Sequence, residues 1–136
     1  GILAAGDWAD QYASIADWED TEGADLERRA LAYLDINCGH CHRSDGPAHT
    51  TGLYLTYEET ERNRLGICKT PVAAGKGSGG RRFGIEPGEP DSSILVFRME
   101  SDDPGVMMPE LGRVIAHKEG IELVRTWIAG LEGNCR

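Results

Sequence analysis

The sequence predicts a small all-α domain with long connecting loops. Two apolar patterns of helical period, one beginning near residue 26 and one near residue 121, support this, and no convincing strand alternation competes with them. Between them lies a stretch rich in breakers: residues 71–90 hold three prolines and six glycines. The 136 residues are 40% apolar, enough to bury a single core.

Asp25 is a good N-cap, and Leu26, Ala30, Tyr33 and Leu34 follow at helical spacing. Good helix formers fill the stretch, which runs directly into Cys38. Gly46 and Pro47 break it. Thr56 and Glu59 have capping-box spacing for a short helix closed by Gly66. Pro90 to Ser93 caps another, from Ile94 to about Met99, and a second loop covers Ser101 to Gly112. Ile121, Val124, Ile128 and Leu131, with Trp127, mark an amphipathic C-terminal helix. Residues 1–24 are expected to be an acidic strap or linker packed through Trp8, Tyr12, Ile15 and Trp18, with the domain proper at 25–136.

The net charge is −9. Acidic side chains crowd the region from Asp7 to Glu27, whereas Arg62 to Arg82 carries only bases. An acidic surface argues against nucleic acid and anionic membranes as partners. No apolar run approaches the ~18 residues of a membrane span. The opening residues lack an initiator Met and a basic leader, as expected of a mature product or an excised domain.

Four cysteines are present, and two of them form Cys38-Gly39-His40-Cys41-His42. C-x-x-C-H is the attachment signature for a c-type haem. Two thiols add across the two vinyl groups as thioethers, and the next histidine supplies an imidazole to the iron. His40 is expected to be exposed. Two other chemistries use similar residues. Cys-Gly-His-Cys also serves thiol–disulfide oxidoreductases, but there it opens a helix after a strand, and here it follows a helix. A zinc site would need a second close pair, and Cys68 and Cys135 are far apart.

An electron-carrying haem takes a ligand on its other face, and a thioether there raises the potential. Met99 sits in an apolar helical run and is expected to be packing. Met107 and Met108 lie in a loop, and Pro109 stiffens the backbone after Met108. Met108 is the expected ligand; Met107, His49, His117 and an open position are the alternatives. The GKGSGG run at 75–80 lacks phosphate-loop order and is read as a flexible loop. Arg81 or Arg82 could pair with a haem propionate or lie on the surface; Tyr33 and Trp127 could line the haem edge but are expected at the helix–helix contact that closes the fold.

These features together resemble single-haem bacterial c-type cytochrome domains, of the kind appended to larger secreted bacterial proteins. The likeness rests on C-x-x-C-H after Tyr33-Leu34-Asp35-Ile36-Asn37, on Pro87 to Leu95, on Arg98-Met99 and on Met108-Pro109. It spans roughly 26–131, and only the haem motif is individually specific. The resemblance implies a small cytochrome c fold with long loops around one haem. It implies Met108 as distal ligand, and Pro47 as the carbonyl accepting a hydrogen bond from the proximal imidazole. The segment 60–86 departs from the smallest members.

The expected function is electron transfer, not enzymatic catalysis, on one covalent haem c ligated by His42 and Met108. The cofactor residues are then Cys38, Cys41, His42, Met108, Pro47 and Arg82. The partner would be an exported redox protein, such as a peroxidase, an oxidase or a secreted copper oxygenase, and the chain a periplasmic or secreted monomer. A haem enzyme or sensor with a displaceable sixth ligand is the alternative, followed by the thiol oxidoreductase. Haem attachment follows export, so Cys68 and Cys135 mature where spare cysteines tend to pair, and a disulfide between them is expected. Otherwise one is a buried thiol and the other a frayed terminal one.

Overall fold

The structure, a computed structural model, describes residues 15–136. Three short α-helices are present among them: α1 (Leu26–Leu34), α2 (Ile94–Glu100) and α3 (Lys118–Gly130). The Asp25 carboxylate caps α1 by accepting from the Arg28 N–H at 2.8 Å, as its position predicts. The chain then widens into a single π-turn, Asp35–Gly39, which carries Cys38.

The expected all-α, small cytochrome c fold is not borne out. Only 36% of the described residues are helical, π and 3-10 turns included, with little regular structure and no evident haem-binding fold. The helix expected over 56–66 does not form. The Glu59 carboxylate instead accepts from the Thr60 and Glu61 N–H groups at 3.0 and 2.8 Å, and these local bonds give turns. Two isolated parallel bridges, Ile67 to Ile85 and Phe83 to Ser93, pin the glycine-rich stretch. Ser93 precedes α2 without capping it, because its hydroxyl donates to the Glu89 carbonyl and accepts from the Glu86 N–H. The strap expected at the N-terminus lies largely outside the described residues. Of its aromatics, Trp18 packs edge-on against both Tyr33 and His117, with ring centroids 5.4 Å away in each case.

One core joins the helices. Leu34, Leu55, Ile85, Val96, Val124 and Ile128 have almost no exposed surface. At the α1–α3 crossing Tyr33 lies flat over Gly120, where a Cβ atom would stand 2.0 Å from the Tyr33 Cζ. Arg125 ties α3 to the region around α2 through Asp91 and Glu100, at 2.7 and 3.0 Å. These acids are largely exposed, so the pairs contribute little.

Cys68 and Cys135 are joined by a disulfide that closes 67 residues of sequence. Cys68 takes φ +56°, a left-handed conformation costing a non-glycine residue about 1–2 kcal/mol. Its N–H is held by the Ile85 carbonyl at 2.9 Å.

Gly120→Ala should destabilise the fold by about 1–3 kcal/mol, because a methyl group cannot enter this contact without displacing the buried Tyr33 ring or the helix that carries it. Urea denaturation measures this, and an unchanged midpoint would show that the crossing can relax. Replacing both Cys68 and Cys135 with serine should cost about 4 kcal/mol in the chain-entropy account of a loop this long. A loss under about 1 kcal/mol in the same experiment would mean that the covalent link is not what holds these ends together.

Candidate functional site

A cleft of about 310 Å³ opens where α1, the Met108 loop and the start of α3 meet. That volume lies at the lower end of the range for small-molecule sites. Cys38 comes to it from the π-turn, and Met99 from α2. Met108, Pro109, Arg113, Val114 and Ile115 come from the loop between α2 and α3, and His117 and Ile121 from the start of α3. Val114 is 94% exposed and Ile115 77%, although both line the cleft. Large apolar side chains left uncovered beside a cavity mark a place where apolar surface is to be buried.

The motif folds tightly on itself. The N–H groups of Cys41 and His42 both donate to the Cys38 carbonyl, at 3.1 and 2.9 Å, and the His42 carbonyl accepts from Leu55 at 2.8 Å. Cys38 and Cys41 are both free thiols. Cys38 is buried, and burial, with Cys41 beside it, pushes its thiol up to about 12. It also sits at the C-terminal end of its helix, where the dipole disfavours a thiolate. A thiol–disulfide oxidoreductase needs the opposite, an acidic thiol at a helix N-terminus.

His42 is half-buried and does not line the cleft. Desolvation holds its pKa below the usual histidine value, an effect that Arg98 and His40 reinforce. The Leu53 backbone offsets this in part, and Nδ1 is buried with no hydrogen-bond partner. The ring is therefore kept neutral, the form in which imidazole binds a metal.

The other expected positions divide. Pro47 is exposed, and its carbonyl receives no bond from His42. Arg82 is exposed with its guanidinium 4.9 Å from the centre of the Phe83 ring, and Arg81 stacks on Phe97, so neither lines the cleft. Met108 lines the cleft and Met107 does not. His117 also reaches it, but its Nδ1 accepts from the Tyr33 hydroxyl at 3.0 Å in the tautomer that leaves Nδ1 free. His49 is exposed and bonds to the Gly46 carbonyl. Cys68 and Cys135 are spent on each other, and among the described residues no three His, Cys, Asp or Glu side chains gather as a metal site would require.

No protein-family model matches the chain, and no curated protein or solved structure is detectably similar to it. The chemistry of the site must therefore be argued from these residues.

Two arginines hold the Met108 loop: Arg98, noticed in the sequence only within the family likeness, and Arg113, which had no counterpart there. Arg98 donates from Nε to the Val106 carbonyl at 2.8 Å, while its own carbonyl accepts from the Met108 N–H at 2.9 Å. Arg113 lines the cleft and bonds three backbone carbonyls. An Arg that serves carbonyls has no charged partner to look for in the sequence; only its place close after Met-Pro could have drawn attention.

Tyr33 forms part of the cleft wall, and burial raises its hydroxyl to about 12. The folded state thus keeps a proton that the unfolded chain, titrating near 10, releases. This contribution to stability is complete below about pH 10 and is lost as pH rises towards 12. Alkaline unfolding should therefore steepen across that window, and Tyr33→Phe should flatten it. An identical pH profile in the variant would contradict this assignment.

Proposed function

We propose that this chain is an electron-transfer domain carrying one c-type haem, attached through Cys38 and Cys41 and ligated by His42 and Met108. The observation that carries the reading is a convergence. The C-x-x-C-H spacing is a purely local signal, yet its first cysteine lines the same cleft as the loop thioether of Met108, from the far end of the chain.

The residue types present suit the group, and of the four that would hold it Cys38 and Met108 line the cleft while Cys41 and His42 lie on the adjoining turn. Cys38 and Cys41 are unpaired thiols, His42 offers a neutral imidazole with an unpartnered nitrogen, and Met108 offers a sulfur. Bound there, a haem supplies a one-electron Fe(III)/Fe(II) couple, and a Met ligand favours the reduced state. The protein's own part would be to hold both thiols on one turn, to disfavour protonation of His42, and to offer the apolar side chains of Val114, Ile115 and Met99 along the cleft. Of its titratable lining groups, burial keeps Cys38 and Tyr33 protonated and Arg113 is tied to backbone carbonyls.

The reading places the chain in an exported compartment, and the Cys68–Cys135 disulfide supports this. Among the described residues no helix is long and apolar enough to cross a membrane. The partner is an exported redox protein, which would approach the open side of the cleft.

The test is expression with a c-type haem attachment system. Colour should remain with the protein after acid–acetone extraction, and its complete loss would refute the assignment. Cys38→Ala or Cys41→Ala should leave a single link or a labile haem, and His42→Ala should abolish stable assembly. Met108→Ala should remove the far-red Met–Fe(III) band and lower the potential, while Met107→Ala should do neither. The reverse pattern would transfer the ligand role to Met107, and loss in neither variant would transfer it to a histidine, of which His117 is the one lining the cleft.

A further inference from the structure

The segment that follows Met108 has little to hold it. Residues 109–116 make no backbone–backbone hydrogen bond to any described residue. Leu111, Val114 and Ile115 on it are all strongly exposed, and Ala116 at its end packs against the core. One polar side chain ties down its middle. The Arg113 guanidinium donates from Nη1 to the carbonyls of Met99 and of Met108, the latter at 2.9 Å, and from Nη2 to the Ser101 carbonyl. The Met99 and Ser101 carbonyls belong to the C-terminal end of α2, where backbone acceptors lack partners within the helix. A planar guanidinium is suited to this, because its donors are fixed in one fork and need little ordering.

This is a built arrangement rather than a surface charge that happens to lie nearby. The Arg113 side chain is only 10% exposed, and its nearest carboxylate, on Asp102, is 80% exposed and 4.0 Å away. Carbonyl dipoles, not a counter-ion, therefore stabilise the cation. The Met108 N–H is held separately by the Arg98 carbonyl at 2.9 Å. Both backbone groups of Met108 are thus tied to the end of α2, one directly and one through Arg113.

We propose that Arg113 is the positioning residue for the Met108 thioether, fixing where the sulfur stands in the cleft by locking the Met108 carbonyl to α2. This rests on the reading of Met108 as distal ligand. Lysine in its place has a single ammonium and cannot serve three carbonyls in one plane. Glutamine removes the charge and two of the bonds.

The experiment uses haem-loaded Arg113→Lys and Arg113→Gln protein, with imidazole as the probe of how readily the sixth ligand leaves Fe(III). Imidazole should displace Met108 at least tenfold more tightly in Arg113→Gln than in the unaltered protein, with Arg113→Lys between them, at temperatures well below unfolding. The far-red Met–Fe(III) band should weaken in the same order. Unchanged imidazole affinity with a lowered melting midpoint would make Arg113 a merely structural residue and overturn the proposal. So would failure of both variants to retain haem. If the unaltered protein itself lacks the Met–Fe(III) band, the fault lies in the ligand assignment, and the proposal falls with it.

Discussion

The approach of α1 to α3 over Gly120 is the contact on which the rest of the structure depends. Helices that meet with a glycine at the crossing bring their backbones closer than larger residues allow, and here the space is taken by the Tyr33 ring. That closeness sets Cys38, at the end of α1, beside the start of α3 with His117 and Ile121. The Tyr33 hydroxyl bond to His117 and the Trp18 edge against both rings extend the same contact towards solvent. A cleft with one wall on each helix exists only while this crossing holds.

Burial acts on the site in two opposite directions with a single outcome. It raises Cys38, an acid that is neutral when protonated, and it lowers His42, a base that is neutral when deprotonated. Both groups are held uncharged near neutral pH for the same reason: a poorly solvated charge is costly. The positive charge that does enter the cleft, on Arg113, is surrounded by carbonyl oxygens.

What was legible in the sequence follows from how local its cause is. Asp25 and the apolar repeat after it specify α1 within one stretch of chain, and so does the repeat in α3. The cysteine and histidine spacing is equally local. Met108 could be chosen from its proline neighbour and from a family resemblance, but not its place in the cleft. The helix expected over 56–66 failed because Glu59 serves the amides immediately after it, a choice that capping-box spacing does not distinguish. Arg82 was noticed as a charge and lies on Phe83, while Arg98 entered only through the family likeness and Arg113, whose partners are main-chain carbonyls, gave no pattern to notice. The fold class failed for a related reason: glycines and prolines over 71–90 announce a loop but not the bridges that pin it.

The disulfide divides the chain into two parts with different topology. From Cys68 to Cys135 the backbone is a closed ring that contains α2, the Met108 loop and α3; α1 and the C-x-x-C-H turn lie on an open arm outside it. The cleft is the seam between ring and arm. The Met108 wall therefore stays closed by a covalent link whatever becomes of the α1–α3 packing. The wall that carries Cys38 is instead joined to the ring by chain continuity at Cys68 and by the core packing of Ala30, Tyr33 and Leu34.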